Sequence, residues 1–87
     1  MKTKLTLAIE TAESAGLVSY VDSNFRQRAR RAYKRNLEDP GDCRGMDSML
    51  LGLAIAQAAI GVNPGWIPQV QGLGCRIADK LEAAGIA

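Results

Sequence analysis

SYVDSNFRQRARRAYKRNL, residues 19–37, carries six cations and still keeps a narrow apolar side. At about 100° per residue, Val18, Val21, Phe25, Ala29, Ala32 and Asn36 fall within an arc of about 80°, with Tyr33 at its edge. All six cations, Arg26, Arg28, Arg30, Arg31, Lys34 and Arg35, lie outside that arc, and no acidic residue interrupts them. That pattern predicts a helix over about 19–37 with Phe25 and Ala32 inward and the guanidinium groups outward. Ser19, with Asp22 three residues on, has the form of a capping box at its start. Glu38-Asp39-Pro40-Gly41 ends it, because Pro40 cannot continue a helix and Pro-Gly suits the central positions of a type II turn.

Three further helices surround this one. Over about 4–15, Leu5, Ala8, Ile9 and Ala12 follow the spacing that gathers apolar groups on one helix side. Gly16 closes that helix, with Leu17 folding back in a Schellman pattern. Residues 47–60 are apolar almost all round, which suits the middle of a bundle. Met46 and Met49 read as gap-fillers of its core. Ser48, Gly52 and Ala56 add a stripe of small side chains that lets another helix come close; it serves contact within the monomer first and a homodimer second. The fourth helix, about 66–84, carries Trp66, Val70, Leu73, Ile77, Leu81 and Ala84, with Pro68 tolerable only in the first turn. Gly85 and Ile86 repeat the closing pattern of Gly16 and Leu17. Four helices, no strand and 87 residues predict an all-α bundle, one domain over 1–87.

Composition bounds what such a bundle can do. Hydrophobic residues make up 47% of the chain, enough to fold, but much of that total is alanine and only Tyr20, Phe25, Tyr33 and Trp66 are aromatic. The expected stability is modest, and docking to a partner would add to it. There is no histidine, which removes the commonest general base and zinc ligand together. Glu10 and Glu13 read as a solvated face. Gly72-Leu73-Gly74 lacks the third glycine and the preceding strand of a dinucleotide loop, and serves close helix contact instead. Asp39, Asp42 and Asp47 are too far apart for a calcium loop and fill turn and cap roles. No catalytic residue, cofactor or metal is expected.

Cys43 and Cys75 match no metal or redox spacing and read as free thiols. The opening Met1-Lys2-Thr3-Lys4-Leu5 imitates a signal peptide until Glu10 and Glu13 break the apolar run, so a cytoplasmic location is expected. No stretch reaches the roughly 20 apolar residues of a membrane span.

The charge distribution is the feature that points to function. Net charge is only +2, yet the six cations sit together. Arg26, Arg30 and Lys34 form one ladder at helical spacing, and Arg28, Arg31 and Arg35 form another. Each like-charge neighbour pair costs a few tenths of a kcal/mol, so the arrangement opposes local stability. The bland alternative is a solvated face with Glu38 and Asp39 reaching back to Lys34 and Arg35. The functional one is a docking surface, joined by Tyr20, for an acidic protein partner. Arginine's planar fork suits phosphate as well, which keeps non-specific nucleic-acid binding as the second reading; a basic helix lying on an anionic membrane is a weaker third. Trp66 is assigned to the core in preference to an interface. The chain resembles, in general character, the very small helical proteins of bacteria, phages and mobile elements that regulate or inhibit a larger machine by binding it.

Overall fold

A computed structural model describes residues 2–86. It contains four α-helices in an all-α bundle: α1 (Lys4–Ser14), α2 (Ser23–Glu38), α3 (Asp47–Ile60) and α4 (Pro68–Ala83), with a short 3-10 turn (Gly41–Cys43) between α2 and α3. The described residues contain no strand, and the bundle measures 27 × 25 × 24 Å. None of these helices is long and apolar enough to cross a membrane.

The apolar sequence of α3 makes it the central element. Leu50 through Ala58 are buried without interruption, and α2 and α4 pack along either side of it. The small-residue stripe does what its spacing implies against α4. A Cβ added to Gly52 would run into the carbonyl oxygen of Gly74, and one added to Gly74 would lie 2.9 Å from Leu53 Cδ2. Gly72, in contrast, faces open space and contributes nothing to the approach. Val70, Ile77 and Leu81 of α4, Ile9 of α1 and Phe25 of α2 complete the core.

The predicted Schellman closures form. Gly16 N–H donates to Glu13 O and Leu17 N–H to Ala12 O, while Gly85 N–H donates to Glu82 O and Ile86 N–H to Leu81 O, all within 2.9–3.1 Å. Gly16 and Gly85 take the positive φ values this geometry requires, +75° and +72°.

Other local expectations are corrected. The second helix begins at Ser23, and Asp22 is its cap: Asp22 Oδ1 accepts from Phe25 N–H at 2.8 Å. Tyr20 has φ +56°, which no helix interior accommodates, so Ser19 cannot start the helix. The Pro40-Gly41 turn is not type II. Pro40 is helical in φ and ψ, and Cys43 N–H closes a 3-10 turn on Pro40 O at 3.0 Å. Helix α4 starts at Pro68, leaving Trp66 in the preceding loop and 74% exposed. The assignment of Trp66 to the core is therefore overturned. Trp66 lies outside the helix, so the helical period no longer carries it onto the face where Val70, Ile77 and Leu81 are buried. Met46 is likewise exposed, while Met49 packs against the core. Cys43 and Cys75 are both free.

Candidate functional site

The six cations of α2 are all exposed, and Phe25, Ala29 and Ala32 are buried beneath them. The helix period separates the two ladders. Arg28, Arg31 and Arg35 face the C-terminal end of α3, and together with Gln57, Ala58, Gly61 and Asn63 they line a cavity of about 210 Å³. Arg26, Arg30 and Lys34 lie on the far side and line neither this cavity nor the groove next to it. Tyr20 precedes the helix, is 92% exposed and is not brought to the cavity.

Two of the inner arginines are anchored. Arg28 Nη2 donates to Ala58 O at 3.3 Å with its guanidinium 6.0 Å from the centroid of the Phe25 ring, and Arg35 Nη2 donates to Asn63 Oδ1 at 3.4 Å. The last turn of α3 presents carbonyls with no partner inside the helix and a partial negative charge, so it attracts cations. Neither arginine is neutralised by a carboxylate. The ion pairs among the described residues are Lys2 with Glu10 at 2.9 Å and Lys4 with Asp47 at 2.7 Å, and neither involves α2. Glu38 and Asp39 do not reach back to Lys34 and Arg35, so the pairing that would make the basic face an ordinary salt-bridged surface is missing.

A polar chain centred on buried Gln57 holds the site in place. Gln57, only 3% exposed, donates through Nε2 to Asn63 O, and its Oε1 accepts from Asn36 Nδ2 at 3.0 Å. The same Asn36 nitrogen lies 3.3 Å from Leu50 O. These bonds tie α2, α3 and the α3–α4 loop to one another, which fixes the loop that carries Trp66. In the sequence Gln57 reads only as an interruption of an apolar run. A lone amide within such a run is itself the signal, because a buried amide must find partners.

Adjoining the cavity is a groove of about 580 Å³ whose lining includes Arg35, Asp39, Asp42 and Trp66. Arg35, Gln57 and Asn63 line both spaces, so cavity and groove are neighbouring compartments of a cationic cleft. Its charge is uneven: the cavity has three guanidinium groups and no carboxylate, and the groove has one guanidinium, two carboxylates and an indole.

A second cluster joins three helices on the opposite edge of α2. Tyr33 Oη donates to Asp47 Oδ1 at 2.5 Å, and Lys4 Nζ donates to Asp47 Oδ2 at 2.7 Å. Burial raises the Asp47 pKa, but the Lys4 hydrogen bond, the Tyr33 hydrogen bond and the Lys4 charge together hold it below its ordinary 3.8. Burial first, then the hydrogen bond to Asp47 and its negative charge, push the Tyr33 phenol well above its ordinary value. The cap role assigned to Asp47 from sequence is not found: Met46 is the N-cap of α3, no side chain caps it, and Asp47 instead clamps α1, α2 and α3.

The fold and the cationic cleft together define a small all-α bundle with an uncompensated basic helix. Compared with known proteins, the chain matches no family model, and no significantly similar curated protein or solved structure was found.

Proposed function

We propose that the protein is a non-enzymatic interaction protein that binds, and by binding regulates or inhibits, a larger protein partner with an acidic surface. The observation that carries this reading is the set of six exposed cations on α2, with none of the described carboxylates paired to any of them. Ladders of like charge cost helix stability, and no described carboxylate offsets that cost; only Arg28 and Arg35 have polar partners of their own among the described residues. An acidic partner would offset it, and its opposite potential would also speed the encounter. A location in the cytoplasm fits the free thiols.

Affinity capture from lysate, with and without nuclease, tests the reading. A protein retained after nuclease by the wild type and lost with Arg30→Glu/Arg31→Glu, at unchanged helical circular dichroism, supports it. Capture that survives the charge reversal defeats it.

Exposed Trp66, lining the same groove as Arg35, favours one second reading, non-specific nucleic-acid binding, since an indole can stack a base while a guanidinium takes its phosphate. Affinity would then fall with salt at a log–log slope of about −0.9 per duplex phosphate contacted. No gel shift at low salt removes this reading.

A further inference from the structure

We infer that the ligand of the cleft is an extended segment of the protein partner in which carboxylates are followed by a bulky apolar side chain. The inference rests on the protein-partner reading above and specifies what that partner presents. The arginine end of the cleft, between Arg28, Arg31 and Arg35, has no acidic lining, and three planar forks there can each take a carboxylate. The adjoining groove combines Trp66 with Asp39, Asp42 and Arg35. A nucleic-acid strand carries the same negative charge at every residue and would have to set phosphates beside those two carboxylates. A peptide does not: it can place its acids on the arginines and then change character.

The indole selects the side chain that comes after the acids. Trp66 is the largest side chain of the protein, stands 74% exposed, and is carried by a loop whose Asn63 carbonyl is bound by buried Gln57. An exposed aromatic on an anchored loop loses little conformational freedom when it is covered, and tryptophan and arginine are the residue types that dominate binding energy at interfaces. The groove of about 580 Å³ beside it has room for one large apolar side chain. Between the two ends, Gln57 and Asn63 keep their own hydrogen bonds, so recognition falls to the guanidinium groups and the indole.

Trp66 is the only tryptophan, so its emission reports on this end of the cleft alone. The test titrates the full chain with a capped peptide containing a run of glutamates followed by phenylalanine. Controls are the same peptide with alanine in place of phenylalanine, and oligothymidylate. The expected result is a blue shift of Trp66 emission and binding about tenfold tighter for the phenylalanine peptide. Trp66→Ala should remove that preference without loss of helicity, and Arg31→Glu/Arg35→Glu should abolish binding of both peptides. Equal binding of both peptides with unmoved emission overturns the inference but leaves an acidic partner standing, provided Arg30→Glu/Lys34→Glu still weakens both. Failure of the phenylalanine peptide to bind at low salt overturns it as well; lysate capture that nonetheless remains sensitive to charge reversal would preserve the broader reading. Oligothymidylate that binds more tightly than the phenylalanine peptide and quenches Trp66 overturns it in favour of nucleic acid.

Discussion

Helix α3 has two neighbours and treats them differently. Against α4 its contact is close, backbone near backbone at Gly52 and Gly74, with Leu53, Ile77 and Leu81 among the apolar filling and Ser48 Oγ donating to Glu82 Oε1 at one end. Against α2 the contact is narrow. Ala29 and Ala32 meet it at the centre, an amide chain through Asn36 and Gln57 runs along one edge, and beyond that edge the surface opens into the arginine-lined cavity. Small side chains occur at both seams with opposite effects. Glycine at the first removes the atoms that would hold two helices apart, whereas alanine at the second leaves the long cations beside it to form walls. The tight seam supplies stability, and the loose one leaves a cleft.

If that contrast is right, the largest effect of a single substitution comes at the tight seam. Gly52→Val should cost about 3 kcal/mol, the upper part of the range for overpacked cores, because the atom it would strike is backbone and cannot rotate away. Thermal unfolding of a chain this size should then drop by more than ten degrees, roughly 4–8 °C per kcal/mol. A variant that melts near the wild type would show that the two helices can move apart.

The loose seam should respond next. Gln57→Leu removes one partner of half-buried Asn36, which keeps Leu50 O, and the partner of the Asn63 carbonyl in an exposed loop; losing the two bonds should cost about 1 kcal/mol. Unlike the glycine change, it should also free the loop that carries Trp66, shifting Trp66 emission in the folded protein. Stability loss without an emission change would mean that the amide chain does not fix the loop.

The clamp at Asp47 sharpens the comparison by pH. Its folded pKa lies below the ordinary 3.8, so its contribution is complete above that value and is lost as pH falls through the lower folded one. For Tyr33 the sign is opposite: the neutral phenol is favoured, so its contribution is complete below pH 10.0 and declines as pH rises beyond that. Asp47→Asn should therefore flatten the acid limb of the stability profile below about pH 4 and reduce the alkaline decline. Unchanged limbs in denaturant titrations across pH would assign both to other groups.

The smallest effect is expected on the outer ladder. Arg30→Glu/Lys34→Glu replaces like-charge neighbours that no described carboxylate balances, and should leave stability unchanged or raise it by a few tenths of a kcal/mol. Measurable destabilisation would mean that these side chains have a structural partner.

The sequence was informative wherever a pattern repeats. The arc from Phe25 to Asn36, the all-round apolarity of residues 50–58 and the glycines at 16 and 85 each follow from one geometric period or one backbone constraint, and each is found where it was expected. It was least informative at junctions. Ser19 and Asp22 are both good caps, and Tyr20's positive φ, set by how the chain crosses from α1, selects Asp22. Trp66 has the hydrophobicity of a core residue, but hydrophobicity does not say whether a place is left for it.

The residues alone determined that this chain forms helices, which side of each is apolar, and that the cations of the second face outward, because those properties depend on spacing along a single helix. Only the tertiary structure decided that three of the arginines border a cavity, that Gln57 and Asn63 hold a loop beside them, and that an exposed indole lines the neighbouring groove. Such juxtapositions join side chains from three different elements, and they depend on how closely the helices approach, a distance set by the two glycines between α3 and α4 and by the alanines under the arginine ladder.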